Sequence, residues 1–186
     1  MFFLSADLHI GHRRIIEYCN RPFSDVHEMN KTLVSNHNYL VKQDDIVIHA
    51  GDFTLQGYNK FKEYLTFLNG RHIFVKGSHD IWAKKFNPSE IPNLHKELGQ
   101  KVHDILELSI NNRKIVVCHY AMRTWPHSHH GSILFYGHSH GKLKPFYNAL
   151  DVGVDNNDYR PISLIEALNK IDISNFILET ETFETT

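Results

Sequence analysis

The stretch DIVIHAGDFTLQGYNKFKEYLTFLNGRHIFVKGSHD, residues 45–80, decides the fold class. Its apolar run Ile46-Val47-Ile48 reads as a buried strand that stops at Gly51-Asp52. Residues 58–68 read as a helix, and Asn69-Gly70 terminates it. A second apolar run, Ile73-Phe74-Val75, then ends at Gly77-Ser78-His79-Asp80. Strand, helix and strand in this order are the pattern of a parallel βαβ unit.

Upstream, residues 1–6 read as a short buried strand that stops at Asp7. Residues 12–19 have a helical pattern that Asn20-Arg21-Pro22 breaks, and residues 26–40 form a longer helix capped by Ser24 or Asp25. Downstream the character changes. Residues 102–110 and 113–118 read as a hairpin around Asn111-Asn112. A strand at 133–136 ends at Gly137-His138, another spans 149–152, and Ser163 to Glu166 fits a capping box opening a last helix. Residues 87–100 are the expected long loop. One more strand is expected at Phe176-Ile177-Leu178, followed by a frayed tail after about residue 180. No linker or repeat divides the chain, so one domain over residues 1–186 is expected.

Twenty Lys and Arg nearly balance 21 Asp and Glu, so net charge gives no strong pull towards nucleic acid or an anionic membrane. The unusual count is histidine, at 15, which raises the expectation of a metalloenzyme because imidazole is the commonest metal ligand. Cys19 and Cys118 have no zinc-knuckle or disulfide spacing, and the apolar start reaches Asp7 without a basic leader. A reduced, cytoplasmic setting without a membrane anchor is the expectation.

The chemistry collects at strand ends. Asp7, Asp52, Ser78-His79-Asp80, His119, and His138 with His140 each follow an expected strand. In a sheet with parallel crossovers those ends lie along one rim, where ligands bind. Two metals about 3.5–4 Å apart need a bridging carboxylate with oxygen and nitrogen ligands. Asp52 can bridge, Asp7 and His9 can face one ion, and His138 and His140 can give a nitrogen to each. This donor set suits Mn²⁺, Zn²⁺, Fe or Ni²⁺ better than Ca²⁺ or Mg²⁺ alone.

Asp7-Leu8-His9, Gly51-Asp52, Gly77-Ser78-His79-Asp80, His119-Tyr120 and Gly137-His138-Ser139-His140 resemble the ordered motif blocks of the calcineurin-like metallophosphoesterase family. Asp151-Val152-Gly153-Val154-Asp155 and Arg160-Pro161-Ile162-Ser163-Leu164 resemble the tail of its small bacterial and phage members. The resemblance implies an α/β fold, a four-layer α/β/β/α sandwich of two mixed sheets flanked by helices, with the metal site at the C-terminal rim of the strands. It also implies two divalent ions, one on Asp7, His9, Asp52 and His140, the other on Asp52, Ser78, His119 and His138. The family usually has Asn where this chain has Ser78, which either coordinates, acts through a water, or leaves the second site loose. His79 would be the general acid, with Asp80 holding its imidazole. The implied activity is hydrolysis of phosphodiesters or phosphomonoesters, nucleotides among them, by in-line attack of a metal-bridging hydroxide. A nuclease on the same scaffold and a protein-binding scaffold with a weakened metal site are the competing functions.

Other residues carry two readings each. His49 either supports the site from behind or simply packs; His12, beside His9, is a candidate for touching substrate. Arg123 can pair with phosphate and Trp125 can stack a base, or their segment is a solvated loop with one buried aromatic. Arg13, Arg14 and Arg21 are phosphate contacts or, more commonly, a solvated helix face. His27, His37, His72, His95 and His103 match no motif and are expected as hydrogen-bonded surface residues.

Overall fold

A computed structural model describes residues 1–110, 112–144 and 146–171. The strands are β1 (Phe2–Ser5), β2 (Ile46–Ala50), β3 (Arg71–Val75), β4 (Val102–His103), β5 (Ile105–Ile110), β6 (Arg113–Cys118), β7 (Ile133–Tyr136), β8 (Ala149–Asp151) and β9 (Ile162–Ser163). The helices are α1 (Arg14–Tyr18), α2 (Val26–Leu40), α3 (Tyr58–Leu65) and α4 (Leu164–Lys170). One sheet has the order β4-β3-β2-β1-β9 and the other β5-β6-β7-β8. Each is mixed: β9 runs antiparallel to β1 in the first, and β5 antiparallel to β6 in the second, with the remaining pairs parallel. This is the expected architecture of two mixed sheets flanked by helices.

Period-two alternation builds the layers. Leu4, Ile48, Ile73 and Val75 of the first sheet face Leu106, Ile115, Val117, Ile133 and Phe135 of the second, and Leu164, Ala167 and Ile171 of α4 join this shared core. On the outer side of the first sheet, Ile15, Met29, Leu33, Phe61 and Leu65 from α1–α3 pack with Phe53, Phe74 and Trp82. The outer side of the second sheet carries Val116, Leu134 and Tyr136 beneath Trp125 and Met122. Asp25 caps α2 by accepting from the amides of His27 and Glu28, and Ser163 caps α4 by accepting from the Glu166 amide.

Two expectations change, and one holds. The expected strand over 102–110 is two strands in different sheets, because the chain leaves the first sheet after β4 and enters the second at β5. Residues 87–100 form the expected irregular stretch, broken only by short 3-10 turns at Pro88–Glu90 and Leu98–Gln100. His37 and His72 are buried rather than on the surface. With His49 they form a trio between α2 and the first sheet, where His49 Nε2 lies 2.9 Å from His72 Nδ1 and His37 Nε2 lies 2.8 Å from the Asn69 carbonyl. His49 therefore packs within the core and does not touch the candidate ligands. Asn111 of the expected turn and the strand expected at 176–178 lie outside the described residues. Among the described residues no helix is long and apolar enough to cross a membrane.

Candidate metal centre at the joined strand ends

Parallel register carries three turns to one rim. β1 and β2 pair up to Ser5 and His49, and β2 and β3 up to Ala50 and Val75. Beyond the strands the backbone keeps pairing: the Asp7 amide donates to the Gly51 carbonyl at 3.0 Å and the His9 amide to the Asp52 carbonyl at 3.0 Å. The second sheet meets this rim through a bridge between Ala6 and Gly153. There the His138 amide donates to the Asp7 carboxylate at 2.8 Å, and the Gly137 amide donates to the His119 carbonyl at 3.1 Å.

The turns are strained where the chemistry is expected. Asp7, His9, Asp52, His138 and His140 all have positive φ, between 46° and 67°. For residues with a Cβ this left-handed conformation is uncommon and costs on the order of 1–3 kcal/mol each. Five such residues on one rim mean that the surrounding fold holds these side chains inward against local preference. Gly77 is needed for a different reason, close approach, since a Cβ there would lie 2.1 Å from the Asp52 amide nitrogen.

Two clusters result. Ligand atoms of Asp7, His9 and His140 lie within 4.8 Å of one another, as do those of Asp52, His119 and His138. Asp52 stands between them, its Oδ2 3.4 Å from His119 Nε2 and 3.6 Å from His9 Nε2. Both nitrogens of His9 and the Nε2 of His119 are buried without a hydrogen-bond partner. Unpaired imidazole nitrogens beside buried carboxylates fit divalent cations, which would supply the missing partner.

The electrostatics match. Burial pushes the Asp7 carboxyl up to about 7, outweighing the charges of His140 and His119 and the His138 amide, which lower it. Burial also pulls His9 down to about 3, leaving a neutral nitrogen ligand. Burial works to raise Asp52, yet the contact with His119, the His79 amide and the charge of His9 hold it below the usual carboxylate range. For His119, burial is outweighed by Asp52, and its pKa is raised. Its other nitrogen, Nδ1, lies 2.9 Å from the Ala50 carbonyl, so the ring is oriented with Nε2 inward.

The remaining expected residues fall into distinct places. Ser78 donates its hydroxyl to Asp52 Oδ2 at 3.1 Å, so it touches the carboxylate between the clusters. His79 is exposed at the mouth, its ring 5.6 Å from that of His9, and its amide donates to Asp52 Oδ1 at 2.8 Å. His12 is half-buried with its ring 5.6 Å from His9. Arg123 is exposed and makes no hydrogen bond or ion pair among the described residues.

Two expectations are corrected. Asp80 does not hold the His79 imidazole. Its carboxylate accepts from the amides of Asp52, Phe53 and Gly77 at 2.8–2.9 Å and from the Trp82 indole at 2.7 Å. Its acidic character is used on the backbone of the turn. Trp125 is buried in the outer core of the second sheet and donates to the Ser132 carbonyl, so it offers no face to a base.

Two residues were given no place in the site by the sequence, and a third was given a different one. Asp151 accepts from the Ser139 hydroxyl and, at 3.1 Å, from the Gly141 amide, pinning the loop that carries His138 and His140. Asp155 Oδ2 lies 2.7 Å from His140 Nδ1. Arg21, expected on a solvated face or on phosphate, is buried and grips both oxygens of Asp155 at 2.8 Å. The two aspartates sit in the stretch Asp151 to Asp155 quoted above, which was a signal; Arg21 was marked only by its nearness to the first metal loop.

Comparison with known proteins agrees with this geometry. The model of the calcineurin-like phosphoesterase superfamily domain matches residues 22–147. The uncharacterized protein MJ1445 of Methanocaldococcus jannaschii is 33% identical over 171 residues, which cover 87% of this chain and 86% of that protein. The solved structure of a protein of unknown function, AQ665 from Aquifex aeolicus, superposes with a TM-score of 0.66 at 22% identity, over 92% of this chain and 99% of that one, a likeness of fold. The chain belongs to the calcineurin-like phosphoesterase superfamily. Metal-dependent phosphoesterase chemistry is the general activity this membership supports, and the His/Asp groups above are its candidate ligands.

Proposed function

We propose that the protein hydrolyses phosphodiesters or phosphomonoesters, nucleotides among them, at a dinuclear metal centre. The observation that carries this reading is the pair of three-residue ligand clusters with Asp52 Oδ2 between them. Asp7, His9 and His140 would hold one ion, and Asp52, His119 and His138 the other, with Asp52 within reach of both. Bound there, two divalent cations supply Lewis acidity towards phosphoryl oxygens and lower the pKa of water.

The chain's own residues do the rest. The strained turns fix the ligands before substrate arrives, so little reorganisation is left for the reaction. His79 has its backbone tied to Asp52 and its ring free at the mouth, where it can give a proton to the departing oxygen. His12, next to His9, would contact the ester or its phosphate. Tyr120, half exposed with its ring 4.9 Å from that of His138, offers the aromatic face for a base that Trp125 does not.

The test is hydrolysis of bis-p-nitrophenyl phosphate and p-nitrophenyl phosphate by protein stripped with a chelator and then restored with Mn²⁺. Turnover that vanishes and returns supports the proposal, and the diester-to-monoester ratio narrows the substrate. Two bound ions with no turnover on either ester would move the reading to a binding scaffold.

A further inference from the structure

Arg21 makes four contacts with groups that bear on one ion site. Its Nε and Nη2 hold Asp155 Oδ1 and Oδ2 at 2.8 Å, while Nη1 donates to the Leu8 carbonyl at 3.1 Å and Nη2 to the Asp7 carbonyl at 2.7 Å. The last two are carbonyls of the turn in which Asp7 and His9 adopt positive φ. Asp155, so held, faces His140 Nδ1 at 2.7 Å, which puts the proton on that nitrogen and leaves Nε2 for an ion. One guanidinium thus reaches the backbone between Asp7 and His9 directly and His140 through Asp155. Among the described residues neither Arg21 nor Asp155 makes a hydrogen bond or ion pair with Asp52, His119 or His138; the turn they hold meets that site through the His9 amide on the Asp52 carbonyl and the His138 amide on the Asp7 carboxylate.

We infer that Arg21 and Asp155 are positioning residues that preorganise the Asp7–His9–His140 site in preference to its neighbour, so that the two sites' metal affinities are set unequally. The inference rests on the dinuclear reading and goes beyond it, because it predicts unequal behaviour of the two sites. The reason is geometric. The turn carrying Asp7 and His9 is strained, and a rigid, planar, permanently charged fork can hold two carbonyls and a carboxylate at once, where a lysine's point charge cannot. Cys19 also comes within 4.8 Å of His140 and Asp155, but both Asp155 oxygens are already engaged by Arg21, and that charge opposes a third ion there.

The experiment titrates Mn²⁺ into chelator-stripped full-length protein, reading bound equivalents by equilibrium dialysis and spin coupling between the ions by electron paramagnetic resonance. Wild type should bind two equivalents with a coupled spectrum. Asp155→Ala and Arg21→Lys should keep one equivalent at wild-type affinity and weaken the other by about 10–100-fold, the effect of losing the group behind a metal-bound histidine. The retained equivalent should match the one that survives in His9→Ala. Should Asp155→Ala fail to fold, Asp155→Asn keeps the volume and gives the same readout. Equal weakening of both equivalents, or of neither, would overturn the inference while leaving the phosphoesterase reading intact. Wild type that binds two ions yet hydrolyses no ester would do the reverse. Wild type that binds fewer than two ions overturns both.

Discussion

Asp80 Oδ2 accepts the backbone amide of Asp52 at 2.9 Å, and the same carboxylate reaches the amides of Phe53 and Gly77 and the indole of Trp82. The turn bearing the carboxylate between the two clusters is therefore built around a second, buried carboxylate. Breaking such a charged network leaves amides unpaired in the interior. Asp80→Ala should lower the unfolding free energy by about 3 kcal/mol or more, measured by urea denaturation of the metal-free proteins. A change below about 0.5 kcal/mol would show that Asp80 is not the support of this turn.

The adjacent His79 should behave differently. His79→Ala should leave metal content and unfolding free energy near wild type, since only its amide is tied into the site. Turnover should fall by about 10²–10⁴-fold. The deficit should be larger for phenyl than for p-nitrophenyl esters, because the poorer leaving group needs the proton more. An equal deficit on both esters would remove His79 from the acid role.

Ser78 donates its hydroxyl to Asp52 at 3.1 Å and is a shorter, weaker oxygen ligand than an amide. Ser78→Asn should tighten Mn²⁺ binding at the Asp52–His119–His138 site and raise turnover at limiting metal. Unchanged affinity would mean that residue 78 does not reach the ion.

The buried trio of His37, His49 and His72 makes a prediction about acid. Burial lowers His37 to about 4 and His72 to about 3, and places His49 well below its ordinary value of 6.5. All three are neutral in the folded protein across the range where the unfolded chain takes up protons. The unfolded state binds more protons below pH 6.5, so stability is fully present above that pH and falls as pH drops towards 4. Each imidazole contributes up to about 1.4 kcal/mol per pH unit to the slope. His37→Gln should flatten the dependence of urea stability on pH between 6.5 and 4 in the chelated protein. An unaltered slope would show that His37 is not one of the groups responsible.

Much of the site was legible because its residues obey local rules. Apolar runs ending in Asp or His marked β1, β2, β3 and β7, and parallel register then put those ends together. What could not be read depends on distant partners. Nothing local marks Asp104 as the point where the chain changes sheets, since β4 and β5 share one unbroken strand-like pattern. Arg21 and Asp155 are 134 residues apart, and neither is unusual by itself. Asp80 was placed beside His79 by adjacency, but consecutive residues in a turn point apart, and its oxygens went to amides. His37 and His72 lack any motif because their partners are each other, His49 and the Asn69 carbonyl.

The place of Asp52 between two ions is probed by counting bound Mn²⁺ and measuring bis-p-nitrophenyl phosphate turnover on the same samples of wild type and Asp52→Asn. Wild type should bind two ions and turn over, with both the second ion and the turnover lost in the variant. Full turnover in Asp52→Asn, or wild-type turnover that survives complete removal of metal, would contradict that placement.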